Sequence, residues 1–312
     1  MKIVNISKKR AESLEKIELD FPNTEANLYY FNLKNNWETT DKVFKKFFVI
    51  EGENFANKLY TITTLNAYQE IMDIKEFVIP DYLISIKSII SGYAMDLVRG
   101  VNLSKIIYNP SVDFKIKIDL LKQLSQVLSK MKDIRSYTNL KDFYIGDIHE
   151  ENIMVDKDMK IKIIDLDSCK IGGNIAIPTR YLQSLKRKGI INDKYVIDEN
   201  NSDIILPNEQ TDYYCLIVLL LNTLYLGNTL NMKNPRLKYK ITQLNIDEYY
   251  TYLNYLKSIG FSKELIKCFE NIYTNKPNIN IGEGSDSLLD SIGNEYSRAT
   301  SIVFEANKRK IK

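Results

Sequence analysis

The pattern of apolar and polar positions divides the chain near residue 100. Residues 1 to about 50 read mostly as strand: 28–33 and 42–50 are rich in aromatic and β-branched side chains. Between them, 34–41 is polar and turn-like. A helix is predicted from about 51 to 67, where Phe55, Leu59, Ile62 and Leu65 keep the three-to-four spacing of a buried stripe. After Pro80, strands are predicted near 82–86 and 89–97, and Gly100 marks a turn. From about 114 to 134 the pattern is helical, with Leu120, Leu121, Leu124, Val127, Leu128 and Met131 on one stripe. The next 30 or so residues read as short strands and loops, and 170–210 as polar surface loop. Asp212 opens an apolar helix through 226 as a plausible N-cap, with Gly227 as its stop. Helices are also predicted over 245–259, 262–273 and about 286–306. Strands with one helix, followed by mostly helices, predict an α+β chain of two lobes with the boundary near 97–100.

Composition narrows the class. The chain has 312 residues, 44% hydrophobic and 27% charged, enough for one large domain or two lobes that each bury a core. The net charge of +3 comes from interspersed charges, so no basic stripe argues for nucleic acid. Cys169, Cys215 and Cys268 are far apart with no Cys-x-x-Cys, which argues against structural zinc and fits free thiols in a reducing cytoplasm. The first ten residues lack the apolar run of a signal peptide. The longest apolar run, 215–221, is too short to span a bilayer. Nothing in the sequence fixes the oligomeric state.

The chemistry concentrates in Gly146-Asp147-Ile148-His149-Glu150-Glu151-Asn152 and Ile163-Ile164-Asp165-Leu166-Asp167. Asn152 follows Asp147 by five residues, and Asp165 follows Asn152 by thirteen. One carboxylate to meet a hydroxyl, with an amide oxygen and a second carboxylate to hold Mg²⁺ against phosphates, is what phosphoryl transfer asks of a protein. His149, the chain's single histidine, lies inside this block.

These residues resemble the protein kinase superfamily. The first segment looks like its catalytic loop and Ile164-Asp165-Leu166-Asp167 like its Asp-Phe-Gly element. Residues 93–103 resemble the hinge between kinase lobes, and 212–220 the Asp-led central helix of the larger lobe. The resemblance covers about residues 40–275. It implies a bilobal fold with a small β-rich N-lobe over 1–98 and a larger helical C-lobe over 99–312. It implies an ATP- and Mg²⁺-dependent transfer of the γ-phosphoryl group to a hydroxyl, first of all Ser or Thr of a protein. Asp147 would orient the acceptor hydroxyl, while Asn152 and Asp165 would hold Mg²⁺. Lys45 would bind the phosphates, and Val43, on the same strand face, would touch the adenine; Lys46 is the fallback lysine. Backbone groups of Asp96, Leu97 and Val98 would meet the adenine edge, with Met95 behind it and Asn102 at the end of the hinge segment. Asp212 would sit as a buried carboxylate beneath the catalytic loop.

Several positions depart from the pattern. The first glycine is Gly52, so no glycine-rich loop precedes Lys45, and a hairpin around 34–40 would have to cover the phosphates. Lys58 stands where the helix glutamate is expected, leaving Glu51 or Glu53 as partners for Lys45. Ile145-Gly146 replaces His-Arg, which argues against control by a phosphorylated loop, and the Ala-Pro-Glu element is missing. Asp167 is open to a second-metal, surface or capping role. Gly-Asp-x-His-x-x-Asn with Ile-Asp-x-Asp also resembles the aminoglycoside and choline phosphotransferases, which implies a small-molecule hydroxyl as the alternative acceptor. A pseudokinase, a binding module without turnover, is the other alternative.

Overall fold

Two antiparallel strands with apolar residues on both faces start the architecture. Strands β2 (Ala26–Asn35) and β3 (Glu38–Phe47) pair along their whole length, and β3 pairs on its other side with β5 (Ile89–Asp96). Strand β4 (Tyr82–Ile86) follows, and β1 (Lys2–Ile6) adds to it in parallel, giving a mixed five-stranded sheet in the order β1-β4-β5-β3-β2. A computed structural model describes residues 1–19, 23–35, 38–109 and 111–174. Beyond these it describes single positions at 207, 212, 215, 216, 219, 220, 222, 223, 254, 257, 258, 263 and 266.

The register explains why these strands lack a polar face. Phe31, Phe44, Ala94 and Ile84 share one side and pack with Ile6 and Ala11, the latter from the short helix α1 (Lys8–Glu12). Val43, Tyr93 and Met95 share the other side and pack under Phe55 and Ile62 of α2 (Gly52–Leu65). Both sides are covered, so both strand parities are apolar. Residues 34–41, expected as a turn, are mostly strand, because the β2–β3 ladder runs on to the pair Asn35 and Glu38. This ribbon extends beyond the last β3–β5 pair, Lys42 and Asp96, at the end of the sheet where β5 stops.

A second core surrounds α5 (Phe114–Tyr137), whose Leu120, Leu121, Leu124, Val127, Leu128 and Met131 are buried. The Asp113 carboxylate caps its start by accepting from the Lys115 amide at 2.7 Å. Short helices α3 (Gln69–Met72) and α4 (Ser104–Ile107) border this core. Beside it lies a three-stranded sheet of β6 (Gly100–Asn102), β7 (Ile153–Asp156) and β8 (Ile161–Ile163). Gly100, expected to turn, is therefore in a strand; a Cβ there would land on the Val155 carbonyl oxygen, so the glycine answers a close approach. Glu76 and Val78 exchange backbone hydrogen bonds with Ile163 at 2.7 and 2.9 Å, tying the connection between α3 and β4 to β8.

The architecture is α+β. Asp212, Cys215, Leu216, Leu219 and Leu220 are helical and buried, as the predicted helix requires. The described positions within 245–259 and 262–273 are helical as well. The predicted helix over 286–306, the loop beyond residue 174 and Cys268 lie outside the described residues. No helix among the described residues is long and apolar enough to cross a membrane.

Candidate functional site

Ile145 and Ile148 act as apolar pegs that seat the 145–152 loop on the α5 core. Between them Gly146 takes φ 76°, the left-handed region that a side chain disfavours. The position that departs from the His-Arg pattern is thus one the backbone reserves for glycine. Asp212 holds this turn: its buried carboxylate accepts from the Ile145 amide at 3.0 Å and the Gly146 amide at 2.8 Å. The Asp212 side chain therefore straps the loop, where the sequence also admitted an N-cap role.

Above that strap Asp147 points outward, with its side chain 53% exposed. Asn152 Nδ2 donates to the Asp147 carbonyl at 3.1 Å and to Asp147 Oδ2 at 3.3 Å, which fixes both residues and leaves Asn152 Oδ1 as an acceptor. The Ile164 amide donates to the Asn152 carbonyl at 2.9 Å, and Ile153 pairs with Ile163. Asn152 and Asp165 thus emerge side by side at the end of the β7–β8 ladder. Asn102 donates through Nδ2 to the Glu151 carbonyl at 2.8 Å, and buried Tyr108 donates to Glu150 at 2.7 Å. Asn102 thus serves to brace this loop.

His149 lies 3.7 Å from Asp147 Oδ2 through Nε2, and its Nδ1 accepts from the Glu151 amide at 3.3 Å. That acceptor role selects the neutral tautomer with Nε2–H toward Asp147. Burial pushes the imidazole pKa down, but the hydrogen bond and charge of Asp147, with Glu150 and Asp165 behind it, raise it above its ordinary value.

Asp165 sits at φ 62°, left-handed, and starts the 3-10 turn Leu166–Ser168. The turn sends the two aspartates in different directions. Asp165 is 28% exposed, and Asp167 is fully buried. Lys45 reaches both: it forms a short ion pair with Asp165 Oδ1 and lies 2.8 Å from Asp167 Oδ2. Burial opposes the charge on Lys45, but the two carboxylates prevail and hold its pKa well above the ordinary lysine value. Burial raises the Asp165 pKa and outweighs the attraction of Lys45. For Asp167 burial also pushes upward, but Lys45 and Lys58 together hold it well below the usual carboxylate range. Lys46 lies on the opposite strand parity, so Lys45 is the lysine that joins the sheet to the loop.

The carboxylates beside Lys45 come from the 165–167 turn, not from Glu51 or Glu53, both of which are exposed. Lys58 of α2 lies 3.1 Å from Asp167 Oδ1 and 2.9 Å from Glu25. Burial leaves Asp167 no surface role, and donors already occupy both of its oxygens, which argues against a second-metal role. Tyr93, opposite Lys45 on β5, adds its hydroxyl at 3.1 Å from Asp167 Oδ2. Sequence reasoning missed the roles of Lys58, Glu25 and Tyr93. The available signal was a lysine on the apolar stripe of α2, three residues after Phe55 and four before Ile62.

The positions expected from the resemblance to face a nucleotide gather as one apolar group. Val43 and Met95 pair across β3 and β5, and Leu97, Val98 and Ile164 pack with them. Lys42 pins the end of β5 by binding Asp81 and Asp96, each at 2.6 Å. The Leu97 amide is taken by the Asp41 carbonyl at 3.3 Å, whereas the Val98 amide has no hydrogen bond among the described residues. Val98 is therefore the position of this segment where the adenine edge expected from the resemblance would find a backbone donor.

For a divalent cation the relevant donors are the Asp165 carboxylate and Asn152 Oδ1, hard oxygens at adjacent positions that suit Mg²⁺. Among the described residues no three His, Cys, Asp or Glu side chains converge as a ready metal cage. Mg²⁺ is commonly held by one or two carboxylates with phosphate oxygens and water, so this donor set fits it. No protein-family model matches the chain, and no curated protein matches it.

Proposed function

We propose that the chain is a phosphotransferase of bilobal protein-kinase-like architecture that moves the γ-phosphoryl group of ATP to a hydroxyl in the presence of Mg²⁺. The observation that carries this is Lys45 of the five-stranded sheet meeting Asp165, beside a loop that presents Asp147 and Asn152. Lys45 is the cation for the phosphates, and Asp147, whose side chain is half exposed above the loop, is the carboxylate that meets an incoming hydroxyl. Asn152 fixes Asp147 through its amide nitrogen, and its oxygen would join the Asp165 carboxylate in holding the metal. Bound Mg²⁺ would neutralise phosphate charge there. The Val43–Met95 apolar group and the Val98 amide suit an adenine ring and its polar edge. Serine or threonine of a protein is the favoured acceptor, with cytoplasmic work implied by the free thiols. The Asp212 strap, anticipated from the protein kinase resemblance, supports that choice over a small-molecule hydroxyl.

The test is incubation with γ-labelled ATP, Mg²⁺ and a generic protein acceptor, read by mass spectrometry. Wild type transfers label, and Asp147→Asn transfers about a hundredfold less or lower still. Equal labelling by the two proteins refutes the proposal. Transfer only to an added metabolite or antibiotic hydroxyl selects the small-molecule acceptor. Nucleotide binding without turnover on any acceptor selects the pseudokinase.

A further inference from the structure

Asp167 touches neither nucleotide nor acceptor in the proposed reaction, yet it is the most enclosed charged group of the site. Its Oδ2 accepts from Lys45 at 2.8 Å and from the Tyr93 hydroxyl at 3.1 Å. Its Oδ1 accepts from Lys58 and from the Ser168 hydroxyl, both at 3.1 Å. Every direction around the carboxylate is therefore filled by a donor from β3, β5, α2 or its own turn. The amines of Lys45 and Lys58 share Asp167 and lie 5.4 and 5.8 Å from the Phe47 ring centre.

Charge balance assigns the roles. Lys45 and Lys58 bring two positive charges; Asp165, Asp167 and Glu25 bring three negative ones. A buried amine kept charged without a countercharge is costly to the fold, so a fixed carboxylate beside it is favoured. Asp165 is not permanent in the proposed reaction, because a divalent cation would draw on the same carboxylate. Asp167 then remains as the countercharge that keeps Lys45 in place. Lys58 holds the other oxygen of Asp167, so it fixes the carboxylate plane, and Glu25 balances Lys58 when Asp165 is given over to a cation. The turn itself is fastened to α2: Tyr60 donates to the Gly172 carbonyl at 2.7 Å, and Asn174 donates to Thr61 at 2.7 Å.

We propose that Asp167 is the positioning residue for Lys45, and that Lys58 acts through it as a relay from α2 to the phosphate-binding amine. The proposal rests on the phosphotransferase reading for its consequence, but its geometry can be tested without nucleotide.

Two measurements separate the questions. The first is acylation of Lys45 by an amine-reactive reagent, followed by mass spectrometry in the absence of ATP. With Mg²⁺ present to draw on Asp165, Asp167→Asn leaves the amine without a fixed countercharge, and Lys45 labelling rises by about tenfold or more. In Lys58→Glu/Asp167→Asn the helix supplies the missing carboxylate, and labelling returns toward wild type. Unchanged labelling in Asp167→Asn, or no recovery in the double variant, overturns the proposal whether or not the protein binds ATP. The second is the KM for Mg-ATP and the Mg²⁺ midpoint. Asp167→Asn raises the nucleotide KM by about tenfold and leaves the Mg²⁺ midpoint in place, whereas Asp165→Asn moves the midpoint. A shifted midpoint in Asp167→Asn makes Asp167 a metal ligand and overturns the positioning role. If wild type shows no turnover, the phosphotransferase reading fails and the acylation result still decides the role of Asp167. Should Asp167→Asn not fold, Asp167→Glu keeps the charge but displaces it by one methylene. Wild-type Lys45 reactivity in that variant overturns the proposal.

Discussion

Asp212→Ala removes one carboxylate and deprives two backbone donors of their acceptor. The Ile145 and Gly146 amides, now bonded at 3.0 and 2.8 Å, lie beneath the loop where Asp212 is buried. A buried donor left unpaired costs about 1–3 kcal/mol, so the pair sets a range of about 2–6 kcal/mol. The loop is open to water on the Asp147 side, so partial hydration places the expected loss near the lower half, at about 3 kcal/mol. Gly146 sharpens this value, because its left-handed backbone has no alternative partner in a regular ladder. Asp212→Asn keeps one acceptor but sets an NH₂ against the second amide, so about half of the loss remains. The assay is native-state hydrogen exchange at Ile145 and Gly146, alongside urea denaturation. A loss of about 3 kcal/mol corresponds to about a 150-fold drop in protection at those two amides. Protection within about threefold of wild type would refute the claim that Asp212 straps the loop.

Three further outcomes follow from particular contacts. Gly92→Ala places a Cβ on the Lys45 carbonyl oxygen and against the Phe44 ring, so β3 and β5 must part beside Lys45; a loss of about 2–4 kcal/mol in urea denaturation is expected. Burial alone pulls the Lys117 amine down to about 8, so at neutral pH it stays protonated at a cost to the fold. Lys117→Met should raise stability by about 1–3 kcal/mol near pH 7, and that gain should shrink as pH rises from about 8 toward 10.5, where the wild-type amine is neutral folded or unfolded. The His149 pKa is raised in the fold, so its contribution is complete below the ordinary histidine value and is lost as pH rises through the folded one. His149→Gln should therefore cost more stability at about pH 5.5 than at about pH 8.5, and a cost that grows with pH contradicts the Asp147 contact.

The strands 82–86 and 89–96 and the helices from 52 and 114 were legible because each carries a continuous burial pattern set by neighbours close in sequence. The short ends were not. Glycine signals both a turn and a close backbone approach, and at Gly100 the Val155 carbonyl decides between them, a neighbour 55 residues away. The polar stretch around 38–41 reads as a turn because its strand status comes from the cross-strand ladder, not from apolar side chains. In the site, the spacing of Asp147, Asn152 and Asp165 was visible because a loop and the β7–β8 hairpin bring them together locally. The pairing of Asp167 with Lys45 spans 122 residues, and no local pattern encodes it.

Local pattern also could not distinguish Asp165 from Asp167, two identical side chains two residues apart. The backbone distinguishes them. A left-handed residue at Asp165 followed by one 3-10 turn rotates the second carboxylate away from the first. Asp165 keeps access to solvent and therefore to a cation, while Asp167 enters the layer between α2 and the sheet, where only fixed donors can satisfy it. The same short segment thus supplies an exchangeable negative charge and a permanent one. Lys45 lies against both, so a cation could take up Asp165 without leaving the buried amine unpaired. That division accounts for Lys58 on α2 where the resemblance leads one to expect a carboxylate: the fixed negative charge already comes from the turn, and a second one on the helix would place two carboxylates in a buried layer with one lysine between them.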